Sequence, residues 1–295
     1  MRLKSALIFP LLAAGLLVGC GNSEAPKTSA EAKPAPAEAA PSSSYLDKIK
    51  ARDKLIVGVF SDKPPFGYVD EAGNYVGFDT DIAKRFAKDL LGDEKKVEFV
   101  VVEPASRIPF LQSDKVDLIL ANMTVTPERA EAVDFTNPNL RVAVQAIVRE
   151  DSGIERLDDL ADKTVIVTTG TTADIWLTQN RPDWTLLKFE KNSESLQALA
   201  NGRGDAYAQD NLVLFSWAKQ NPGYRVLTDT LGDEAPIAPA VKKGNSELRD
   251  WVNAELAKLG EEQFLLKLYD QYVRKDLADD TDPNAIIVEG GNWQG

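Results

Sequence analysis

The alternation of short β-branched runs with amphipathic helical stretches restricts the fold of this sequence more than any other feature. Between the first two runs, apolar residues recur on one face of a helix that ends at Gly92, a residue type that favours a helix end. Ile108 and Leu111 support a second helix. The predicted strands of this first set are residues 55–60, 97–102 and 116–121. Strands that alternate with helices predict an α/β protein.

A second set of strands and helices begins near Leu157 and has the same character. Its predicted strands are residues 164–167, 186–189, 205–208 and 225–227. Two extended apolar segments, 142–148 and 237–241, flank this set. We interpret them as paired crossovers that leave a first lobe and return to it, with helices at 246–259 and 261–274 packing back onto that lobe.

The sequence therefore predicts two α/β lobes that are joined by a hinge of two crossover strands, with a cleft between them. Lobe 1 is expected to comprise residues 45–143 plus 238–275, and lobe 2 residues 144–237. Residues 276–295 would form a C-terminal extension whose role the sequence does not indicate.

The N-terminal residues have the pattern of an export signal. Two basic residues precede an apolar run at 6–18, which is too short for a permanent membrane span. The run closes at Leu-Val-Gly-Cys, the pattern that bacterial lipoprotein processing requires, so we expect a signal peptide at 1–19 and acylation of Cys20. An ordinary cleaved signal with an incidental cysteine is the alternative. Because Cys20 is the single cysteine, an internal disulfide is excluded.

Composition separates a tether from the folded region and excludes several classes of partner. Residues 20–44 combine the cysteine with Ala, Pro, Ser, Glu and Lys, and they are predicted to be a disordered tether. The chain has 34 basic and 46 acidic residues and a net charge of −12. This charge disfavours nucleic acid and anionic lipid surfaces, so the expected membrane contact is the lipid itself.

The residue inventory argues against catalysis. The sequence has no histidine, which excludes histidine triads, imidazole bases and histidine metal ligands. Neither a nucleophile elbow, a Walker A loop nor a dinucleotide fingerprint occurs. We therefore expect a binding protein without a cofactor or a metal.

Two turns carry groups that suit a zwitterion. At residues 126–129, threonine caps a helix, proline takes its first position, and Arg129 points back toward the preceding strand and offers a planar fork to a carboxylate. Thr124 adds a hydroxyl. In the second set, Gly170-Thr171-Thr172 follows a strand and opens a helix, which predicts a second anion site, and Asp210 could accept an ammonium group.

Each of these groups also has a local interpretation: Arg129 as a surface ion pair, Thr172 as a simple cap and Asp210 as an N-cap. Together, however, they fall at the carboxyl ends of strands in both lobes, where open α/β sheets bind ligands.

The sequence resembles the polar-amino-acid receptors of ABC importers, solute-binding family 3, over about residues 46–275. The stretches that carry the resemblance are GVFSDKPPFGYVD (58–70), GFDTDIAKR (77–85), KVDLILANMTVTPERAEAVDFTNP (115–138), TTGTTAD (168–174) and RGDAYAQDN (203–211). Within the family it is most similar to L-cysteine-binding receptors. The resemblance implies the type II periplasmic-binding-protein fold, with the ligand in the cleft between the lobes.

The resemblance also implies a role for each matching position. The α-carboxylate would be held by Arg129 and Thr124, with help from the backbone near Asn122 and from Thr172. Asp210 would hold the α-ammonium. The remaining expected positions are Phe66 as a cover with Tyr68 nearby, Gly170 and Thr171 in the second anion site, and Arg107, which corresponds to a pocket arginine of acidic-amino-acid receptors. Phe66 has a core interpretation as well.

The expected function is an extracytoplasmic, lipid-anchored, monomeric receptor that passes L-cysteine to an ABC permease. Glutamate, aspartate and cystine are alternative ligands. A cyclohexadienyl or arogenate dehydratase-like enzyme on the same fold is the competing class, and an adhesin with a vestigial cleft is a third. The sequence does not distinguish the inner from the outer membrane.

Overall fold

The computed structural model describes residues 44–293. The predicted signal peptide at 1–19, the acylated Cys20 and all of the predicted tether except Ser44 therefore lie outside the described residues. Within 44–293, the helices are α1 Tyr45–Arg52, α2 Phe78–Leu91, α3 Arg107–Gln112, α4 Pro127–Ala132, α5 Thr172–Asn180, α6 Asn192–Ala200, α7 Asn211–Gln220, α8 Ser246–Glu261 and α9 Phe264–Tyr272. In the same region, no helix is both long and apolar enough to cross a membrane.

The strands are given in chain order, in two groups that are divided at Ala143. Those before the first crossover are β1 Leu55–Val59, β2 Asp62–Lys63, β3 Gly67–Val69, β4 Tyr75–Val76, β5 Val97–Val101, β6 Leu118–Ile119, β7 Val133–Phe135 and β8 Leu140–Val142. Those that follow are β9 Val144–Arg149, β10 Thr164–Thr168, β11 Thr185–Phe189, β12 Ala206–Asp210, β13 Tyr224–Val226, β14 Ala235–Ile237 and β15 Ala240–Lys242.

Two five-stranded sheets organise the described residues. Lobe 1 has the order β5-β1-β6-β15-β7, in which β1 runs parallel to β5 and β6 while β15 is antiparallel to its neighbours. Lobe 2 has the order β11-β10-β12-β9-β13, with β9 antiparallel to β12 and β13. The predicted two-lobed α/β architecture is confirmed.

Amphipathic helices cover these sheets because each presents one apolar face. In α2, Ile82, Ala83 and Phe86 are fully buried, and the helix ends at Gly92 with φ of 84°. An L side chain rarely adopts this left-handed conformation, so glycine favours the stop at this position. α8 and α9 pack on the same core through Leu256 and Leu265, as the sequence predicts.

The first crossover, which the sequence predicts as one extended segment, consists of two separate strands in the structure. Residues 142–148 span the end of β8 and most of β9, and the pairing between the two crossovers is β8 with β14. The break falls at Ala143, whose carbonyl accepts from Asn211 N at 2.8 Å and whose N–H donates to Asn211 Oδ1 at 3.3 Å. Since both the N–H and the carbonyl of Ala143 are hydrogen-bonded to Asn211, they are not available to extend the strand pairing of β8 or β9.

The segment after α9 packs against lobe 1. Ile287 lies in the lobe 1 core and forms an antiparallel bridge with Leu140 of β8. Arg141 N donates to Ile286 O at 2.8 Å, and Val288 N donates to Asn139 O at 3.0 Å. This segment therefore braces the first crossover strand where it leaves lobe 1.

Candidate ligand-binding site

A small cavity of about 10 Å³ lies between the two lobes. The residues that line it are Lys63, Pro104, Arg107, Asn122, Thr124 and Arg129 from lobe 1, and Thr171, Thr172, Gln209 and Asp210 from lobe 2. Most of them follow or end a strand of the two main sheets, so the cavity sits at the strand ends where α/β folds bind ligands.

The start of α4 positions Arg129. Pro127 occupies the first helical position, and the Thr126 side chain accepts from Arg129 N at 3.2 Å, as the sequence predicts. The guanidinium is buried: Nη1 donates to Thr124 O at 2.9 Å and Nη2 to Gly170 O of lobe 2 at 3.0 Å. These bonds use two of its five N–H donors, so a bidentate contact to a carboxylate stays available.

The turn that opens α5 brings lobe 2 against Arg129. Thr171 caps the helix by accepting from Asp174 N at 3.3 Å, and the Thr172 and Thr124 hydroxyls lie 3.0 Å apart across the cleft. The Gly170 N–H, expected to face an anion, instead donates to Asp174 Oδ2 at 2.9 Å. This turn therefore presents hydroxyls and the Gly170 carbonyl to the cleft rather than a row of free N–H groups.

Asp210 ends β12 and faces a lysine from the opposite lobe. Its side chain makes no cap for α7, and Oδ2 accepts from Lys63 Nζ at 3.2 Å. Both side chains are 5% exposed or less. Burial lowers the pKa of the Lys63 ammonium, and the Asp210 charge opposes that shift.

A buried polar network holds the backbone of Asp210 in place. Gln209 Oε1 accepts from Asp210 N at 3.1 Å, while Gln209 Nε2 donates to Tyr207 OH at 2.8 Å and to Asn192 Oδ1 at 2.9 Å. The Tyr207 hydroxyl also lies 2.9 Å from Thr168 Oγ1. Because these groups are buried and mutually bonded, they fix the end of β12.

Arg107 is buried against backbone carbonyls. Nε donates to Pro104 O at 3.0 Å, and Nη1 donates to Ala121 O at 3.0 Å and Asn122 O at 3.2 Å. Nη2 lies 3.5 Å from Gly170 O. Burial and the charge of Arg129 lower the pKa of this guanidinium. Most of its donors are therefore committed to the protein.

Asn122 lines the cavity in a left-handed conformation with φ of 43°. Its N–H donates to Asp79 Oδ2 at 2.8 Å. Both atoms of its side-chain amide are buried and make no hydrogen bond within residues 44–293, so the amide can serve a ligand. Asp79 is itself buried, which raises the pKa of its carboxyl to about 6, although the Asn122 N–H, Lys63 and Arg107 oppose that shift.

The structure does not bring Phe66 or Tyr68 to this cavity. Phe66 lies in the lobe 1 hydrophobic core, because its carbonyl accepts from Asp79 N at 2.9 Å and ties the segment to the start of α2. Tyr68 lines a separate groove beside α7 and α9. The structure therefore supports the alternative that Phe66 is a core residue, and not the expectation that its ring covers the ligand.

Sequence reasoning also missed three residues that line the cavity, Lys63, Pro104 and Gln209, and the neighbouring Phe60. The Phe60 ring centroid lies 5.2 Å from Lys63 Nζ and 5.7 Å from Arg107 Cζ, within reach of a cation–π contact. Phe60 directly follows β1, and Lys63 ends the next short strand, so the carboxyl-end rule that indicated Arg129 could have indicated both.

The chain is similar to several known amino-acid-binding proteins. The chain is similar to a cysteine-binding protein from Campylobacter jejuni, at 49% identity and a TM-score of 0.82 over 83% of this chain and 99% of that one. It is also similar to a solute receptor for L-cysteine of Neisseria gonorrhoeae, at 46% identity and a TM-score of 0.80 over the same shares. A relative from Bacillus subtilis, the ABC transporter glutamine-binding protein GlnH, is 34% identical over 94% of this chain and 99% of its own length.

A family model describes the region that contains both lobes. The model of bacterial extracellular solute-binding proteins, family 3, matches residues 55–275, which include every described residue that lines the cavity. The chain belongs to the bacterial extracellular solute-binding proteins of family 3.

Proposed function

We propose that this protein captures L-cysteine outside the cytoplasmic membrane and delivers it, as a monomer, to an ABC importer. The observation that carries the proposal is that Arg129, with donors to spare, and Asp210 line one cavity from opposite lobes. The similarity to a cysteine-binding protein and to a solute receptor for L-cysteine supports cysteine as the ligand, while the similarity to a glutamine-binding protein supports the wider class of amino acids.

In this proposal, the cationic side chain of lobe 1 binds the negative charge of the ligand, and the carboxylate of lobe 2 binds its positive charge. The α-carboxylate lies against the Arg129 fork and the hydroxyls of Thr124 and Thr172. The α-ammonium lies against Asp210, in the cavity that Asn122 also lines. A charged zwitterion can be buried at low cost only when both charges are paired, so closure of the lobes about the crossovers requires both contacts.

The test is a thermal-shift screen of the twenty amino acids and cystine, followed by titration calorimetry. L-cysteine, kept reduced, should bind most tightly, and the acidic amino acids should bind more weakly. At a hundred times its Kd, a ligand stabilises the protein by about 2.7 kcal/mol. A preference for glutamate, aspartate, cystine or glutamine would contradict cysteine, and turnover of arogenate or prephenate would establish the enzyme class instead.

We also propose that Cys20 carries the lipid anchor. In membrane fractions washed with salt, Cys20→Ser should be released, because acyl chains are the expected means of attachment. Ser23→Ala, three residues further along, should stay with the membrane and serves as the control. Retention of Cys20→Ser in the washed membrane would contradict the anchor.

A further inference from the structure

Lys63 is a buried cation that the proposed function does not use. It ends β2, its side chain is 2% exposed, and its ammonium donates to Asp210 Oδ2 at 3.2 Å. Asp210 is also the carboxylate that we assign to the α-ammonium of the ligand. An incoming ligand and Lys63 therefore compete for the same carboxylate, and Lys63 must find another partner when the ligand binds.

Lys63 has more donors to spare than Arg107. Four of the five N–H donors of the Arg107 guanidinium already meet the carbonyls of Pro104, Ala121, Asn122 and Gly170, which leaves one. The Lys63 ammonium has three donors, and within the described residues it makes the single hydrogen bond to Asp210. Of these two cations, Lys63 therefore has more free donors for a ligand side chain.

The charges around the cavity indicate what that side chain is. Lys63, Arg107 and Arg129 line the cavity, and Asp210 faces them. Asp79 stands behind the Asn122 backbone as a second carboxylate. These five residues thus carry one positive charge in excess, and a zwitterion with a neutral side chain adds no charge to balance it. An anionic side chain would balance it.

We propose that Lys63 selects the side chain of the ligand: once the α-ammonium takes Asp210, the Lys63 ammonium pairs with an anionic side chain, and cysteine is held as its thiolate. This rests on the proposed function. The S–H bond breaks heterolytically, sulfur keeps the electron pair, and the proton passes to the buffer. L-serine has the same shape, but its hydroxyl does not ionise near neutral pH, so it cannot supply the anion.

The test is calorimetry at pH 7 with L-cysteine and L-serine, in two buffers of different ionisation enthalpy and with a phosphine reductant. Free cysteine is mostly thiol at this pH because its thiol pKa is about 8.5. Wild type should therefore release close to one proton per bound cysteine. In Lys63→Met, proton release should fall toward zero, and the preference for cysteine over serine should drop at least tenfold.

Two further variants separate this role from a structural one. Lys63→Arg keeps the charge and should keep most of the preference, whereas Lys267→Met, at an exposed position on α9, should behave as wild type. Wild type that binds cysteine without releasing a proton, or Lys63→Met that keeps the full preference, would overturn the inference. If the protein instead preferred L-aspartate and Lys63→Met removed that preference, the result would support the role of Lys63 in selecting an anionic side chain and contradict cysteine as the ligand. Absence of binding by every L-amino acid would instead overturn the proposed function, and the inference with it.

Discussion

Lobe 1 and lobe 2 contribute opposite charges to the cavity between them. Among the lining residues, the cations Lys63, Arg107 and Arg129 belong to lobe 1, and the carboxylate of Asp210 belongs to lobe 2. The lobes meet where Lys63 pairs with Asp210 and where Arg129 donates to Gly170 O. Each lobe therefore presents charge that the other partly offsets.

The two lobes also hold their charged groups by different means. The Arg107 and Arg129 guanidinium groups are fixed by backbone carbonyls, so their positions depend on the path of the chain. Asp210 is fixed through a network of buried side chains that includes Gln209 and Tyr207. Substitutions should therefore affect the lobe 1 site mainly through ligand binding and the lobe 2 site partly through stability.

The largest expected effect is that of Arg129→Ala on affinity. In the proposed function, the substitution leaves a buried carboxylate without its fork, and loss of one partner of a desolvated pair costs about 2–5 kcal/mol, or roughly 30- to several-thousand-fold in Kd. Arg129→Lys should recover only part of this, because an ammonium lacks the bidentate geometry. Titration calorimetry measures both.

A control on the same lobe separates binding from folding. Arg249 lies on α8 and forms an ion pair with its neighbour Asp250, so Arg249→Ala should bind as wild type. The ligand-free Arg129→Ala protein should melt near wild type. Wild-type affinity in Arg129→Ala, or a collapse of its ligand-free melting temperature, would show that Arg129 is a structural group and that the site lies elsewhere.

Asp79→Asn tests the carboxylate that partly offsets the cations of lobe 1. Burial raises the pKa of Asp79 from its ordinary value near 3.8 to about 6. A carboxyl whose pKa is higher in the folded state favours folding while protonated. This stabilisation is complete below about pH 4 and is lost as the pH rises through about 6. Relative to Asp79→Asn, the free energy of unfolding of wild type should thus fall by about 1–3 kcal/mol between pH 4 and pH 7.

Urea unfolding at several pH values measures this difference. In Asp79→Asn, the new side-chain oxygen can still accept from Asn122 N. The substitution therefore removes the titratable carboxyl and keeps the hydrogen bond. Asp151→Asn, at an exposed carboxylate, is the control. Curves of wild type and Asp79→Asn that run parallel across this range would show that Asp79 does not titrate in the folded protein as its burial implies.

Gly170→Ala tests whether affinity depends on the approach of the lobes. Gly170 has φ of 79°, and a Cβ atom there would lie 2.8 Å from Ala105 Cα across the cleft. Overpacking of this kind costs about 1–3 kcal/mol, so we expect roughly 5- to 150-fold weaker binding. Gly153→Ala is the matched control, because Gly153 has φ of 71° and nothing within 4 Å of its Cβ position. Equal affinity in the two variants would mean that this contact does not limit closure.

The sequence predicted local features well and contacts between the lobes poorly. The cap at Thr126 and Pro127 depends on a few neighbouring residues, and the structure shows it as predicted. Lys63 was missed because a lysine beside two prolines has the local pattern of an exposed turn. Its burial depends on Asp210, 147 positions away in the chain. Phe66 is a different case: its local pattern fits both a cleft and a core, and the structure places it in the lobe 1 core, with its carbonyl hydrogen-bonded to Asp79 N at the start of α2.

The smallest expected effect is that of Tyr207→Phe, which tests the side-chain network of lobe 2. The hydroxyl lies 2.9 Å from Thr168 Oγ1 and 2.8 Å from Gln209 Nε2, but Thr168 keeps Ser195 and Gln209 keeps Asn192 as partners when it is removed. Because few groups become unpaired, unfolding should become easier by only about 0.5–1.5 kcal/mol, as urea unfolding would measure. The control is Tyr224→Phe in the same sheet, whose hydroxyl makes no side-chain hydrogen bond within residues 44–293. If Tyr207→Phe instead weakened ligand binding as much as Arg129→Ala while leaving stability unchanged, the network would act on the ligand rather than on the fold, and the contrast between the lobes would fail.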